Sequence, residues 1–201
     1  MDNDPQETWR RFLNPEVLRA NLILASIYIA TYEILKDSII GRIKDFYITG
    51  FDETGDLIDP DYQSNVLSKN KSTLYASLEW LKKSNAITDD DIGLFNQVKQ
   101  RRNDIAHEIS HMLSEGLPSD FPDRFSDMLS LLKKIEKWWI INYEISLNPD
   151  LVGVEIIEDE IVPGPIAGLR MMIDVALGSE EEANYYYNEF MKHFPHSDSS
   201  S

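Results

Sequence analysis

The sequence predicts an all-α fold, namely an antiparallel four-helix bundle with a short hairpin or loop insertion and a C-terminal helical appendage. Apolar residues recur at helical spacing in four long segments, and capping residues, glycines and prolines mark their ends. The 201 residues, of which 42% are hydrophobic, are enough for one substantial core. We therefore expect a helical bundle over residues 1–148 and an acidic extension over residues 149–201.

The first helix is predicted over residues 15–48, because Asn14 can cap it and Pro15 and Glu16 suit its first turn. Its apolar positions are dense, so we expect it to be central. Two short apolar segments then flank the acidic stretch 52–55, which predicts either a small hairpin or an acidic loop.

A second helix is predicted to begin at about Tyr62 or Ser72 and to end at Ser84. The third follows Thr88, whose hydroxyl can cap a first turn that contains three aspartates. It is predicted to continue to Ser114, where a glycine and then a proline follow.

The fourth helix is predicted from about Asp120 to Leu147, with large apolar residues stepping by three and four as in a bundle seam. These are Phe121, Phe125, Met128, Leu132, Ile135 and Trp139. In the appendage, residues 152–157 are candidates for a short strand, and residues 166–177 and 180–192 for two short helices. Residues 197–201 are predicted to be a disordered tail.

The formal net charge of −16 argues against non-specific binding of nucleic acid, since a polyanion is attracted through Lys and Arg. The charge is unevenly distributed. Residues 150–191 hold ten acids and one base, whereas residues 66–147 hold twelve acids and eleven bases. The acidity therefore lies mainly outside the third and fourth predicted helices.

The chain contains no cysteine, which excludes disulfides, thiolate metal sites and cysteine nucleophiles and fits a reducing compartment. Its most apolar run, residues 22–32, is too short to span a bilayer, and the N-terminus lacks the basic start of a signal peptide. We expect a cytoplasmic protein without a membrane partner.

The third predicted helix carries a charged residue where an apolar one is expected. With Ile105 at zero and 100° per residue, the apolar positions span roughly −20° to +80°, and Arg102 falls within them at about 60°. Asn103 and His107 lie on another face, at about 160° and 200°, with Asn96 between them. A charged residue in an apolar stripe requires a partner or a polar site.

The pattern Arg102-Asn103-x-x-x-His107 on a helix resembles the signature of the HEPN superfamily. The resemblance covers roughly residues 15–147 and implies a metal-independent ribonuclease without cofactor, plausibly a toxin or antiphage defence effector. It implies that His107 activates the RNA 2′-hydroxyl or protonates the leaving oxygen, that Arg102 stabilises charge on the phosphate and that Asn103 orients His107.

The resemblance also implies a homodimer in which two motif helices form a composite site, which would bring together Arg102 and His107, about 140° apart on one helix. RNA is the implied substrate, and an antitoxin or another defence-system protein is a possible partner. HEPN toxins controlled by a nucleotidyltransferase antitoxin have a Tyr two positions after the His. Here that position is Ile109, so control by Tyr adenylylation is not expected.

Three alternatives remain open from the sequence. The first is a HEPN-like fold without activity that serves as a dimerisation or partner-binding module. The second is an ordinary helix in which Arg102 pairs with an acid and His107 lies at the surface. The third is a zinc metallopeptidase, because the chain also spells His107-Glu108-x-x-His111, with two imidazole ligands and a carboxylate base. A third zinc ligand has no recognisable position.

Overall fold

The computed structural model describes residues 5–151 and 153–194, and these residues are predominantly helical. The longer helices are α1 (Pro5–Phe12), α2 (Pro15–Phe46), α4 (Thr73–Lys83), α5 (Asp89–His107), α6 (Ile109–Glu115), α7 (Phe121–Trp139), α9 (Gly164–Leu177) and α10 (Glu180–His193). The structure also contains two short helices, α3 (Asp61–Asn65) and α8 (Ile145–Leu147), and two strands, β1 (Ile48–Asp52) and β2 (Gly55–Ile58). The predicted all-α class is confirmed.

Helix α2 is the central element. Its start is fixed locally, since the Asn14 side chain accepts a hydrogen bond from the Glu16 N–H at 3.0 Å and Pro15 occupies the first turn. The helix packs against α4, α5, α7 and α9. Its contribution to the core consists of apolar side chains that are at most 4% exposed: Ala25, Tyr28, Tyr32, Leu35, Ile39 and Ile43.

The segment after α2 is a hairpin, which decides between the two alternatives that the sequence left open. Strands β1 and β2 pair antiparallel, with Phe51 opposite Asp56. Gly55 has a φ of +119°, a backbone conformation that favours glycine, and Asp52 accepts hydrogen bonds from the backbone and hydroxyl of Thr54. Local turn chemistry therefore explains the hairpin.

The third predicted helix is interrupted, and the expectation of one continuous helix to Ser114 was wrong. Helix α5 ends at His107, and Glu108 leaves the helical conformation with φ −110° and ψ 20° before α6 begins. The change of direction lets α6 pack against α1 and α2 and bury Met112. Helix α1, which the sequence analysis did not predict, supplies part of that contact.

The fourth predicted helix has the expected extent but contains a π turn. Helix α7 continues through the wider turn Ile140–Glu144 into α8. The turn packs Tyr143 against the buried Trp139, with ring centroids 5.0 Å apart, and Trp139 stacks on Trp80 at 5.8 Å. Aromatic packing thus accompanies the local departure from α-helical geometry.

In the C-terminal part, α9 and α10 agree with the two predicted short helices, and α9 packs on α2 and α7. The predicted strand at residues 152–157 is not formed at residues 154–157, which have no regular structure. Val152 and the predicted tail, residues 197–201, lie outside the described residues.

Helix α2 is also long and apolar enough to cross a membrane by length and composition. Only 22% of its most apolar stretch is buried within the chain. The core helix of a soluble protein passes the same test, so the finding assigns no location by itself.

Candidate functional site

Arg102 is held at the junction of α5 and α2. Its Nη2 donates to Glu33 Oε1 at 2.9 Å, and its guanidinium carbon lies 5.5 Å from the centroid of the Tyr32 ring. The side chain is 30% exposed. The cation predicted within an apolar stripe is therefore stabilised by a carboxylate and an aromatic face, at the edge of the core rather than inside it.

Glu33 joins two cations. It accepts hydrogen bonds from Lys36 and from Arg102. These bonds, of which the one from Lys36 has the larger effect, hold the pKa of the Glu33 carboxyl below its usual value, whereas burial acts in the opposite direction. Its side chain is 41% exposed, so water screens the pair. Burial raises the pKa of the neighbouring Tyr32 hydroxyl.

Arg102 also contacts Asn103, the second of the predicted catalytic residues. The Oδ1 of Asn103 accepts from Arg102 Nη1 at 3.5 Å, and the Asn103 side chain is half-buried. The His107 side chain is exposed at the last position of α5 and forms no hydrogen bond or ion pair with any other described residue. One protomer therefore brings Arg102 and Asn103 together and leaves His107 on a different face of the helix from Arg102.

A polar pocket that the sequence analysis did not identify lies on the opposite flank of α5, next to the start of α7. Arg101 Nη2 donates to Asp120 at 2.8 Å, and Arg124 lies 3.0 Å from Asp127. The pocket has a volume of about 410 Å³ and is lined by Asn96, Gln97, Gln100, Arg101, Asp104, Asp120 and Arg124. The i to i+4 spacing of Asp120 and Arg124 was a signal for one of its contacts, but the cross-helix pairing was not visible in the sequence.

The residues of the zinc alternative do not share one continuous helix. His107 ends α5, Glu108 lies in the break, and His111 belongs to α6, where its Nδ1 lies 3.5 Å from Glu115. Over residues 5–151 and 153–194, no group of three or more His, Cys, Asp or Glu side chains is arranged to hold a metal ion. The spacing of two helical imidazole ligands at i and i+4 is thus not preserved.

The polar environment of this part of α5 continues onto α4. Asn96, predicted on the same face as Asn103 and His107, accepts a hydrogen bond from the Tyr75 hydroxyl at 2.7 Å. Lys99 lies over the Tyr75 ring at 4.8 Å. On this face of α5, Asn96, Gln100 and His107 are exposed and Asn103 is half-buried.

Comparisons of the chain with protein-family models, with curated proteins and with solved structures gave no match.

Proposed function

We propose that the protein is a metal-independent endoribonuclease of the HEPN type that acts as a cytoplasmic homodimer, in the role of a toxin or antiphage defence effector. The observation that carries the proposal is the pattern Arg102-Asn103-x-x-x-His107 on α5, with Asn103 against the guanidinium and His107 exposed at the end of the helix. In this proposal α2, α4, α5 and α7 correspond to the four-helix bundle of that superfamily, and residues 149–201 are an extension.

The proposed reaction is a transesterification within the RNA backbone. The RNA 2′-oxygen attacks the adjacent phosphorus, its proton passes to a base, and the bond from phosphorus to the 5′-oxygen breaks as that oxygen is protonated. The products are a 2′,3′-cyclic phosphate and a free 5′-hydroxyl. His107 makes one of the two proton transfers, water makes the other, and Arg102 stabilises the charge that develops on the phosphate oxygens.

The ion pair of Arg102 with Glu33 sets a condition on this chemistry. The guanidinium donates one hydrogen bond to the carboxylate and one to Asn103, and the Arg102 side chain is 30% exposed, so a phosphate can compete for these contacts. Because Arg102 and His107 lie about 140° apart on α5, a phosphate can reach both only if the Arg102 side chain turns toward His107 or if His107 comes from a second protomer. The proposal takes the second arrangement. The homodimer is thus part of the proposal.

The test is incubation of the purified chain with RNA in the presence of a chelator, followed by analysis of the product ends. Cleavage that leaves 2′,3′-cyclic phosphates is expected with wild-type protein, and its loss in His107→Ala would assign the activity to this chain. Cleavage that survives the His107→Ala substitution would attribute the activity to a contaminant or to other residues.

A second candidate is a catalytically inactive HEPN-like module for dimerisation or partner binding. One observation favours it specifically. Arg102 already has a carboxylate and an aromatic ring as partners, which is sufficient to explain its position without substrate. Absence of cleavage of total RNA by a folded wild-type dimer would select this candidate.

A further inference from the structure

Helix α2 presents an exposed stripe on the side that faces away from the core. Its members follow one another by three or four residues, fall within about 80° of helical arc and are exposed except for the half-exposed Glu33. They are Arg19, Leu22, Ser26, Ala30, Glu33 and Asp37. The middle of the stripe lines an uncharged groove of about 590 Å³, of which the other wall is formed by Met171, Met172 and Val175 on α9.

The two ends of this stripe carry opposite charges without partners. Arg19 and Asp37 are both exposed, and neither side chain forms a hydrogen bond or an ion pair within the part of the chain that the structure describes. They stand 18 positions apart, which corresponds to about 27 Å along the helix. They are therefore too far apart to neutralise each other within one chain.

We propose that this stripe is the seam of a homodimer in which α2 packs antiparallel against α2 of a second copy. Two features of the stripe specify the same register. The midpoint between Arg19 and Asp37 is position 28, and the midpoint between the two small residues Ser26 and Ala30 is also position 28. A two-fold axis level with position 28 places Arg19 opposite Asp37 of the partner subunit, and Ser26 opposite Ala30 of the partner subunit.

The same register suits the packing of the two helices. Small side chains at the centre allow the helix axes to approach closely, and apolar side chains on either side, including Leu22, are covered. The exposed Met171, Met172 and Val175 of α9, each between 44% and 53% exposed, lie where they can contact the incoming helix. A seam with an uncharged middle and complementary ends allows two copies to associate although each carries a net charge of −16.

The seam has a consequence for the site on α5, and that consequence rests on the proposed function. Glu33, which holds Arg102, is five positions from the axis, or about 7.5 Å along α2. The two Arg102–Glu33 pairs of a dimer would thus be separated by about 15 Å along the helix direction. Both motif helices then border the same seam, as a composite site of two protomers requires.

The experiment is a charge swap in the full chain, with mass measured by sedimentation velocity over a range of concentrations. Wild-type protein is expected to be a dimer. Arg19→Asp and Asp37→Arg should each raise the dimer dissociation constant by about tenfold or more, because the symmetric dimer contains two copies of the contact. The double variant Arg19→Asp/Asp37→Arg should return to within a few-fold of wild type. Glu79→Arg makes the same change from acid to base as Asp37→Arg, at an exposed site on α4. It is the matched control and should leave the dimer dissociation constant unchanged.

The proposal would be overturned by a wild-type monomer at about 100 μM, by a dimer that neither single variant weakens, or by a double variant that dimerises no more tightly than the single ones. Binding to phosphatidylcholine vesicles that is lost in Leu22→Asp would assign the stripe to a lipid surface, and would also overturn it. RNA cleavage measured on the same samples separates the two ideas. A dimer that shows the expected effects of the charge swap but does not cleave RNA would support the interface and contradict the ribonuclease proposal. A monomer that cleaves RNA would support the ribonuclease proposal and contradict the interface.

Discussion

The ion pair between Arg102 and Glu33 allows a catalytic role of the arginine to be separated from a structural one. The partners are 2.9 Å apart, with side chains 30% and 41% exposed, so the pair should contribute only about 0.2–1 kcal/mol to the free energy of unfolding. The contact with Tyr32 adds about 0.5–1 kcal/mol. Arg102→Ala should therefore cost about 1–2 kcal/mol of stability, and Glu33→Gln less than about 1 kcal/mol.

The expected effects on cleavage are much larger and differ between the two variants. Removing one donor that stabilises the charge of a transition state costs about 10²–10³ in rate, or about 2.7–4 kcal/mol. Arg102→Ala should lose activity on that scale. Glu33→Gln should retain activity or increase it, because the guanidinium loses a competing carboxylate and remains available to the phosphate.

The assay is single-turnover cleavage of a short RNA in the presence of a chelator, with urea unfolding measured on the same samples. Arg101→Ala is the matched control, since it removes a neighbouring arginine that is also ion-paired, with Asp120. Equal rates for Arg102→Ala and Arg101→Ala would refute the catalytic assignment. A loss of activity in Glu33→Gln as large as that in Arg102→Ala would show that the intact pair, rather than a free guanidinium, is required.

The same pair predicts a pH dependence of stability. The hydrogen bonds from Lys36 and Arg102 lower the pKa of Glu33 in the folded chain, so its contribution is fully present above the unfolded pKa, about 4.3. It is lost as the pH falls through the lower folded pKa. The difference in unfolding free energy between wild type and Glu33→Gln should therefore shrink below about pH 4.3, and an unchanged difference there would contradict this account of the pair.

Three further outcomes are expected. His107→Ala should slow cleavage about 10²- to 10⁴-fold and His111→Ala should leave it nearly unchanged, as measured by initial rates with a chelator present; equal losses would contradict the assignment. Arg42→Met should lower the free energy of unfolding by about 3–5 kcal/mol, because Glu136, which is 1% exposed, loses its charged partner. Adding Glu136→Leu should recover most of that loss in urea unfolding. Asp91→Ala should cost about 1–2 kcal/mol in the same assay, since it removes both the capping box of α5 and an ion pair with α7.

The boundaries of several helices were predictable because their causes are local. Asn14 caps α2 and Thr88 caps α5 through hydrogen bonds to residues two or three positions ahead, and both caps were visible in the sequence. The end of α5 was not predictable in the same way. Glu108 leaves the helix although no proline or glycine marks that position. The break is accompanied by the burial of Met112, a residue of α6, and α6 packs against α1 and α2.

The candidate site shows the same division. The helical period placed Arg102 among apolar positions and His107 on another face, and both placements agree with the structure. The partner of Arg102 was not predictable, because Glu33 lies 69 positions earlier in the chain and nothing in its local sequence marks it. The pocket beside Arg101 was missed for the same reason.

By itself, the sequence determined the helical class, the main helix starts and the motif on α5, since periodicity, capping and composition act over a few residues and do not depend on how the chain packs. Only the tertiary structure decided which charges are paired, where α5 stops and which face of α2 stays open. Those features depend on residues far apart in the chain, and the free energy of burying or pairing a side chain is set by whichever neighbours the fold brings to it.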